Sequence, residues 1–283
     1  MPSFPIVDTH LHLWDIGRIR YPWLAAAPKL NRNHLIDEYR KVCGPVQVAK
    51  MVFLQCECDP AQFQDEADWV TEVARTDPRI RGIVPWAPLE KGDGAEETLS
   101  RLASNPLIKG IRRIIQFESD PAFCLQPGFV RGVQLLPRHG LSFDICINHT
   151  QFPNTLKLVR QCPNVKFILD HIGKPDIKGK VLEPWRAHLR ELASHPNVWC
   201  KLSGLANEAD MEKWTAADFR PYIDHVMDCF GFERTIFGGD WPVATLATDY
   251  PRWVQTVDDA LRGSSPDELH RLYVRNAEAF YRV

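Results

Sequence analysis

Residues 8–12 read Asp-Thr-His-Leu-His at the end of a short apolar run near the start of the chain. On an extended strand, side chains two apart share a face and lie roughly 6.5 to 7 Å apart, so His10 and His12 can aim two imidazoles into one pocket. Asp8 is in phase with both and is expected to orient one of the rings. Such a pair suits metal ligation or polarisation of a carbonyl, and it equally suits two satisfied core histidines. Two further sets of polar groups stand at the ends of apolar runs: Asp170-His171, and Asp240 after Phe-Gly-Gly. A carboxylate that closes a buried run has little packing reason to be there, which marks Asp240 as a functional acid or base.

The elements that must position these groups follow from hydrophobic patterning. Eight short apolar or β-branched runs, 5–10, 49–57, 80–86, 108–117, 141–148, 165–171, 198–202 and 235–240, alternate with stretches of helical period. The helical stretches are 65–76, 95–104, 129–139, 154–161, 184–193, 221–230 and 250–261, and 266–280 closes the chain as an extra helix with Pro266 in its first turn and Ser264 and Ser265 as caps. Eight βα repeats without a surplus strand predict an α/β fold, a single (β/α)8 TIM barrel with an extra C-terminal helix, and residues 1–283 form one domain. In that architecture the working groups sit at the C-terminal ends of the strands.

Alternation selects further candidates there, because every second residue faces inward. Strand two offers Gln55 and Glu57, strand three ends in Trp86, strand four turns Arg112 and Gln116 inward, and strand seven carries Lys201 and Ser203. Each has a purely structural counterpart: an ion pair for Arg112, core packing for Trp86, a surface lysine for Lys201, a helix cap for Glu57. His149 falls out of phase and enters only through a bulge or turn. Trp241 could stack on a substrate's flat face, while Trp14, Tyr21 and Trp23 in the long first loop could close over it.

The 283 residues are 45% hydrophobic and 25% charged, with a formal net charge of −2, which gives no basic field for nucleic acid or an anionic membrane. There is no run of 18 apolar residues, and the N-terminus lacks the features of a signal peptide, so a cytoplasmic protein is expected. Eight dispersed cysteines, without zinc-module spacing, read as reduced and structural.

Taken in order, DTHLHLWD, FLQCECDP, GIVPWAPLE, GIRRIIQFE, LSFDICINH, FILDHIGKP, WCKLSGL and FGGDWPV resemble the amidohydrolase superfamily, in particular its amidohydrolase 2 branch of sugar lactonases of the L-fuconolactonase and L-rhamnonolactonase type. The resemblance implies an enzyme, a hydrolase of lactone ester bonds in carbohydrate catabolism, acting on a small-molecule sugar lactone. A bridging lysine of the binuclear hydrolases is missing from strand four, where Arg112, Arg113 and Gln116 stand, so a two-metal centre is not expected. What remains is either one divalent ion, zinc, held by His10, His12 and Asp240, or a site without metal; the expectation is that no cofactor is strictly required.

A lactone is an activated ester, so Asp240 is expected to act as general base on the attacking water and to carry its proton to the ring oxygen. His10, His12 and His171, with Arg112 as a further donor, would polarise the carbonyl, and Gln55, Glu57, Trp86, Gln116, His149, Lys201 and Trp241 would contact the sugar. Three other readings stay open: a metal-dependent decarboxylase of an aromatic acid, a hydrolase of an aromatic-derived dicarboxylate lactone, and a non-catalytic sugar-acid binding protein. The sequence leaves the number of subunits undetermined.

Overall fold

A computed structural model describes residues 1–283. Eight strands follow the eight apolar runs: β1 (Ile6–Leu11), β2 (Val48–Leu54), β3 (Ile80–Val84), β4 (Gly110–Ile111), β5 (Ser142–Ile145), β6 (Phe167–Leu169), β7 (Val198–Leu202) and β8 (Thr235–Phe237). All pairings are parallel, in one sheet ordered β1-β2-β3 and a second ordered β4-β5-β6-β7-β8. Single parallel bridges, Ile83 to Ile108 and Leu11 to Trp241, link the two sheets at both seams.

Apart from β1 and β7, the strands are shorter than the runs that announce them, because their C-terminal ends turn out of the ladder to present side chains. Past Ile111 the Arg112 N–H donates to Pro85 O, and the N–H groups of Ile115 and Gln116 share Cys146 O. The helices are α1 (Ile36–Val42), α2 (Phe63–Thr76), α3 (Glu96–Ala103), α4 (Pro127–Leu135), α5 (Phe152–Gln161), α6 (Trp185–Ala193), α7 (Leu205–Glu208), α8 (Ala216–Phe230), α9 (Tyr250–Ala260), α10 (Pro266–His270) and α11 (Asn276–Tyr281). Patterning missed the short α1 and α7, and it started α8 at Pro221, whereas a capping box between Thr215 and Asp218 starts the helix earlier. Ser265 caps α10 as expected, with Glu268 completing the box and Pro266 in the first turn.

The chain's end closes the face opposite the polar strand ends. Ala277, Phe280 and Tyr281 of α11 pack on Val7, Val52, Leu54, Val84, Ile168 and Ile236. Lys50, near the start of β2, bonds Glu278 and the Val283 carbonyl, which places α11 at the N-terminal ends of the strands. All eight cysteines are free, and no helix is long and apolar enough to cross a membrane.

Glu66 of α2 lies fully buried behind the end of β2, where its Oε1 accepts from the Cys56 N–H at 3.2 Å. Burial pushes its carboxyl up to about 8, above the unfolded value near 4.3. The fold therefore favours the protonated acid, and the stability tied to this group is complete below the unfolded pKa and lost as pH rises toward the folded one. Urea unfolding from pH 5 to 9 should show the wild type losing more stability than Glu66→Gln; parallel pH profiles would contradict this.

Candidate active site

The site is built from the ends of β1, β6, β7 and β8. Asp8 on β1 is fully buried; its Oδ1 accepts the N–H groups of His10 (3.0 Å) and Gly239 (2.8 Å), and its Oδ2 the hydroxyls of Tyr39 (2.7 Å) and Tyr250 (3.0 Å). The expectation that Asp8 orients an imidazole is corrected: it clamps the backbones of the first and last strands together. Gly239 is required there, since a Cβ would stand 2.5 Å from Asp8 Oδ2.

With the strands so clamped, His10 Nε2, His12 Nε2 and His171 Nε2 lie 3.7, 3.6 and 3.9 Å from one oxygen, Asp240 Oδ1. The sequence's four candidate catalytic groups thus meet at one point. Their partners fix the protons. His12 Nδ1–H donates to Leu54 O at 2.8 Å, which leaves its Nε2 a lone pair. Arg112 Nη1, a donor only, faces His10 Nε2 at 3.2 Å, so that nitrogen also accepts and the His10 proton sits on Nδ1, 3.5 Å from Asp170 Oδ1. His171 Nδ1 is paired with Ser203 Oγ at 2.9 Å, and Gly204 gives the ring room, because a Cβ there would stand 2.4 Å from Nδ1.

Burial holds all three imidazoles below their usual pKa, reinforced at His10 by the charges of Lys201 and Arg112. Burial alone would protonate Asp240, and its surroundings, His171 first and with it Lys174, reverse this, leaving it below the usual carboxylate range. At neutral pH the point is a carboxylate among neutral rings. Two imidazole lone pairs and a carboxylate oxygen, all within 4.8 Å of one another, form a donor set that a divalent ion would fill. Tetrahedral zinc with bonds near 2.0 to 2.1 Å places its ligands about 3.4 Å apart, close to the 3.7 and 3.6 Å at which His10 and His12 stand from Asp240 Oδ1. Arg112 competes for the His10 lone pair, which weakens the set.

Beneath the rings lies a buried ion cluster. Asp170 Oδ1 meets Lys201 Nζ at 2.8 Å, its Oδ2 meets Arg112 Nη1 at 3.3 Å, and Lys201 also reaches Asp144 at 3.0 Å. Burial would raise Asp170, and Lys201 and Arg112 overturn that and keep it ionised. Tyr281 of α11 donates to Asp144 at 2.5 Å, so the cluster runs from the chain's end to His10.

Above the rings opens a cleft of about 660 Å³, its mouth included, on which His12, His171 and Asp240 border. Of the proposed sugar contacts, Glu57, Arg112 and Gln116 line it, and so do Trp14 and Trp23 of the first loop. The others do not. Gln55 is buried with its amide folded onto Glu57, donating to Oε1 at 2.7 Å and accepting the Glu57 N–H at 2.5 Å, so it holds Glu57 instead of a ligand. Lys201 is consumed by the two aspartates. Trp86 follows the Pro85 turn outward, where it meets Phe63 and the Arg113 guanidinium. Asp240 takes a left-handed φ of +58°, which turns Trp241 away to pack on His34 and Tyr39. His149 lies behind the wall, its Nδ1 on the Lys174 carbonyl at 3.0 Å, and Tyr21 is buried off the cleft.

Sequence reasoning missed Lys174, Asn207 and Glu208, all on the wall. Lys174 arrives through a left-handed turn: His171, Ile172, Gly173 and Lys174 have φ of 52, 50, 76 and 49°. Such a turn costs on the order of 1 to 2 kcal/mol per non-glycine residue and puts the first and fourth side chains on one side. Trp185 Nε1 fixes it by donating to Ile172 O at 2.8 Å, and Gly173 is required because a Cβ would stand 2.4 Å from the Phe152 ring. The signal for Lys174 was its place three residues after His171; alternation could not find it because the chain there is no strand.

This arrangement of strand-end imidazoles and a β8 aspartate is that of a hydrolase built on parallel β/α units, and the amidohydrolase family profile matches residues 7–283. The chain belongs to the amidohydrolase family. It is 33% identical to the L-fucono-1,5-lactonase of Burkholderia ambifaria over 98% of this chain and 95% of that one. The L-rhamnono-gamma-lactonase of Scheffersomyces stipitis is 26% identical over the full length of both. Among solved structures, an amidohydrolase from Burkholderia multivorans with bound zinc superposes with a TM-score of 0.89 at 30% identity, covering 99% of this chain and 100% of that one.

Replacing Lys201 by Met leaves Asp144 and Asp170 buried beside one remaining cation. Breaking a buried pair from one side costs about 3 to 5 kcal/mol. Urea unfolding of Lys201→Met should show a loss of that size; a loss under about 1 kcal/mol would contradict the cluster's role.

Proposed function

We propose that the protein hydrolyses a sugar lactone, an aldonolactone such as L-fuconolactone or a related L-sugar lactone, to the sugar acid, on a single (β/α)8 barrel formed by residues 1–283 as one domain. The bridges at both seams of the sheets support the closed barrel. The observation that carries the function is the ionised Asp240 among neutral His10, His12 and His171 at the floor of a cleft walled by carboxylates, amides and aromatic rings.

The charge of that wall favours a neutral polyol over a dicarboxylate lactone. Glu57 and Asp240 face the cleft, against Lys174 and an Arg112 whose Nη atoms are engaged by Asp170, His10 and the Gln55 carbonyl. Carboxylates and the amides of Gln116 and Asn207 accept and donate to sugar hydroxyls, while Trp14, Trp23 and Phe117 cover an apolar face.

In the reaction Asp240 takes the proton of a water attacking the lactone carbonyl. His10 and His12 present lone pairs toward Asp240 and cannot donate to an oxyanion by themselves, so that role falls to the Lys174 ammonium and, with Nδ1 accepting from the Ser203 hydroxyl, to His171 Nε2. His10, His12 and Asp240 would hold a divalent ion such as zinc. When bound there, it supplies Lewis-acid polarisation of the carbonyl or acidification of a water.

A pH-indicator assay over a panel of aldonolactones, with and without chelator, tests the substrate class: ring opening of at least one L-sugar lactone is expected, with measurable turnover after chelation. Exclusive turnover of aromatic carboxylates, lost on chelation, would overturn the reading in favour of decarboxylation. Asp240→Asn should lower kcat at least 100-fold with an unchanged circular dichroism spectrum, a loss in the range of removing a general base; near-normal hydrolysis would refute the base assignment.

A further inference from the structure

Glu208 has no structural task. It ends α7, the single turn that follows Gly204 after β7, and its carboxyl borders the cleft shared by Asp240 and His171. Its position is fixed from the backbone: the Glu208 carbonyl accepts from Lys178 N–H at 2.9 Å. The neighbouring Asn207 donates Nδ2–H to Val243 O at 3.0 Å, tying α7 to the turn that begins at Asp240. Two carboxyl groups are thereby held in register at one cleft. No group of the protein hydrogen-bonds the Glu208 carboxyl; the charged and titratable groups around it are Lys174, Asp240, His149 and Asp176.

Opening an aldonolactone needs two proton movements on different atoms. The attacking water loses a proton, and the ring oxygen, a poor alkoxide leaving group, must gain one. If Asp240 did both it would have to cross from the attacking water to the leaving oxygen within one intermediate. A second acid on the wall removes that demand.

Resting on the lactonase reading above, we propose that Glu208 is a second catalytic residue, which donates its proton to the ring oxygen as the carbonyl carbon–oxygen bond breaks. The electron pair of that bond goes to the ring oxygen, which becomes the sugar hydroxyl with the proton from Glu208. The water oxygen stays on carbon as the carboxylic acid. The proton taken by Asp240 then passes to Glu208 through solvent, and the product acid ionises, so one lactone and one water give one carboxylate, one hydroxyl and one proton. Burial, opposed by Lys174 and reinforced by the nearby Asp240 charge, raises the Glu208 carboxyl above the usual carboxylate range.

The test compares L-fucono-1,5-lactone, whose leaving group is an alkoxide, with dihydrocoumarin, whose phenolate leaves without help. Glu208→Gln should lose at least 100-fold in kcat on the sugar lactone, with KM changed less than threefold, and less than 10-fold on dihydrocoumarin. Asp240→Asn should lose comparably on both, since either lactone needs an activated water. On the sugar lactone alone, the alkaline decline of wild-type kcat should vanish in Glu208→Gln and persist in Glu208→Asp at reduced turnover. Equal losses on the two lactones, a KM effect without a kcat effect, or an alkaline limb unchanged in Glu208→Gln would each overturn the proposal. Absence of lactone opening by the wild type would instead overturn the function on which it rests.

Discussion

The interaction on which the site depends is the pairing of Asp170 with two cations in a space closed to water. Lys201 and Arg112 keep that carboxylate ionised against its burial, and Arg112 then faces His10 Nε2 and compels the ring to stay neutral. Replacing this cluster by apolar residues would suit packing as well or better, since buried ion pairs seldom add net stability. What it provides is direction: a fixed tautomer at His10. Asp240 stands ionised among imidazoles that burial holds below their usual pKa.

The second constraint is the backbone. Glu57, His171, Lys174 and Asp240, all on the cleft, have φ between 49 and 58°. A strand that simply continued would point alternate residues in and out; a left-handed residue at its end reverses the chain and projects the side chain over the strand ends. Each such position is held by a specific partner: Gln55 brackets Glu57, Trp185 and His149 bracket the His171–Lys174 turn, and the His10 carbonyl takes the Asp240 N–H. Strain located at functional positions and held by surrounding bonds is the expected signature of preorganisation.

This explains what could be read from the sequence and what could not. Period-two alternation and the βα rhythm located the eight strands, and a carboxylate after Phe-Gly-Gly or a His-x-His pair needs no structure to attract notice. His10, His12, His171 and Asp240 were legible for that reason. Gln55, Trp86, Lys201 and Trp241 were misplaced because alternation was extended past the point where the chain leaves the ladder, or because burial claimed a side chain for an ion pair. Lys174 and Glu208 were invisible because a left-handed turn and a one-turn helix have no periodic pattern. His149, expected among the sugar contacts although out of phase, stands outside the cleft lining and bonds the Lys174 carbonyl instead.

The central claim is that Asp240 is a carboxylate ringed by neutral imidazoles whose tautomers the protein sets. Nitrogen-15 spectra of histidine-labelled, metal-stripped protein at pH 7.5 test it most directly. His10, His12 and His171 should all be neutral there, with the protons of His10 and His12 on Nδ1. An imidazolium at His10 or His12, or a proton on either Nε2, would contradict the account.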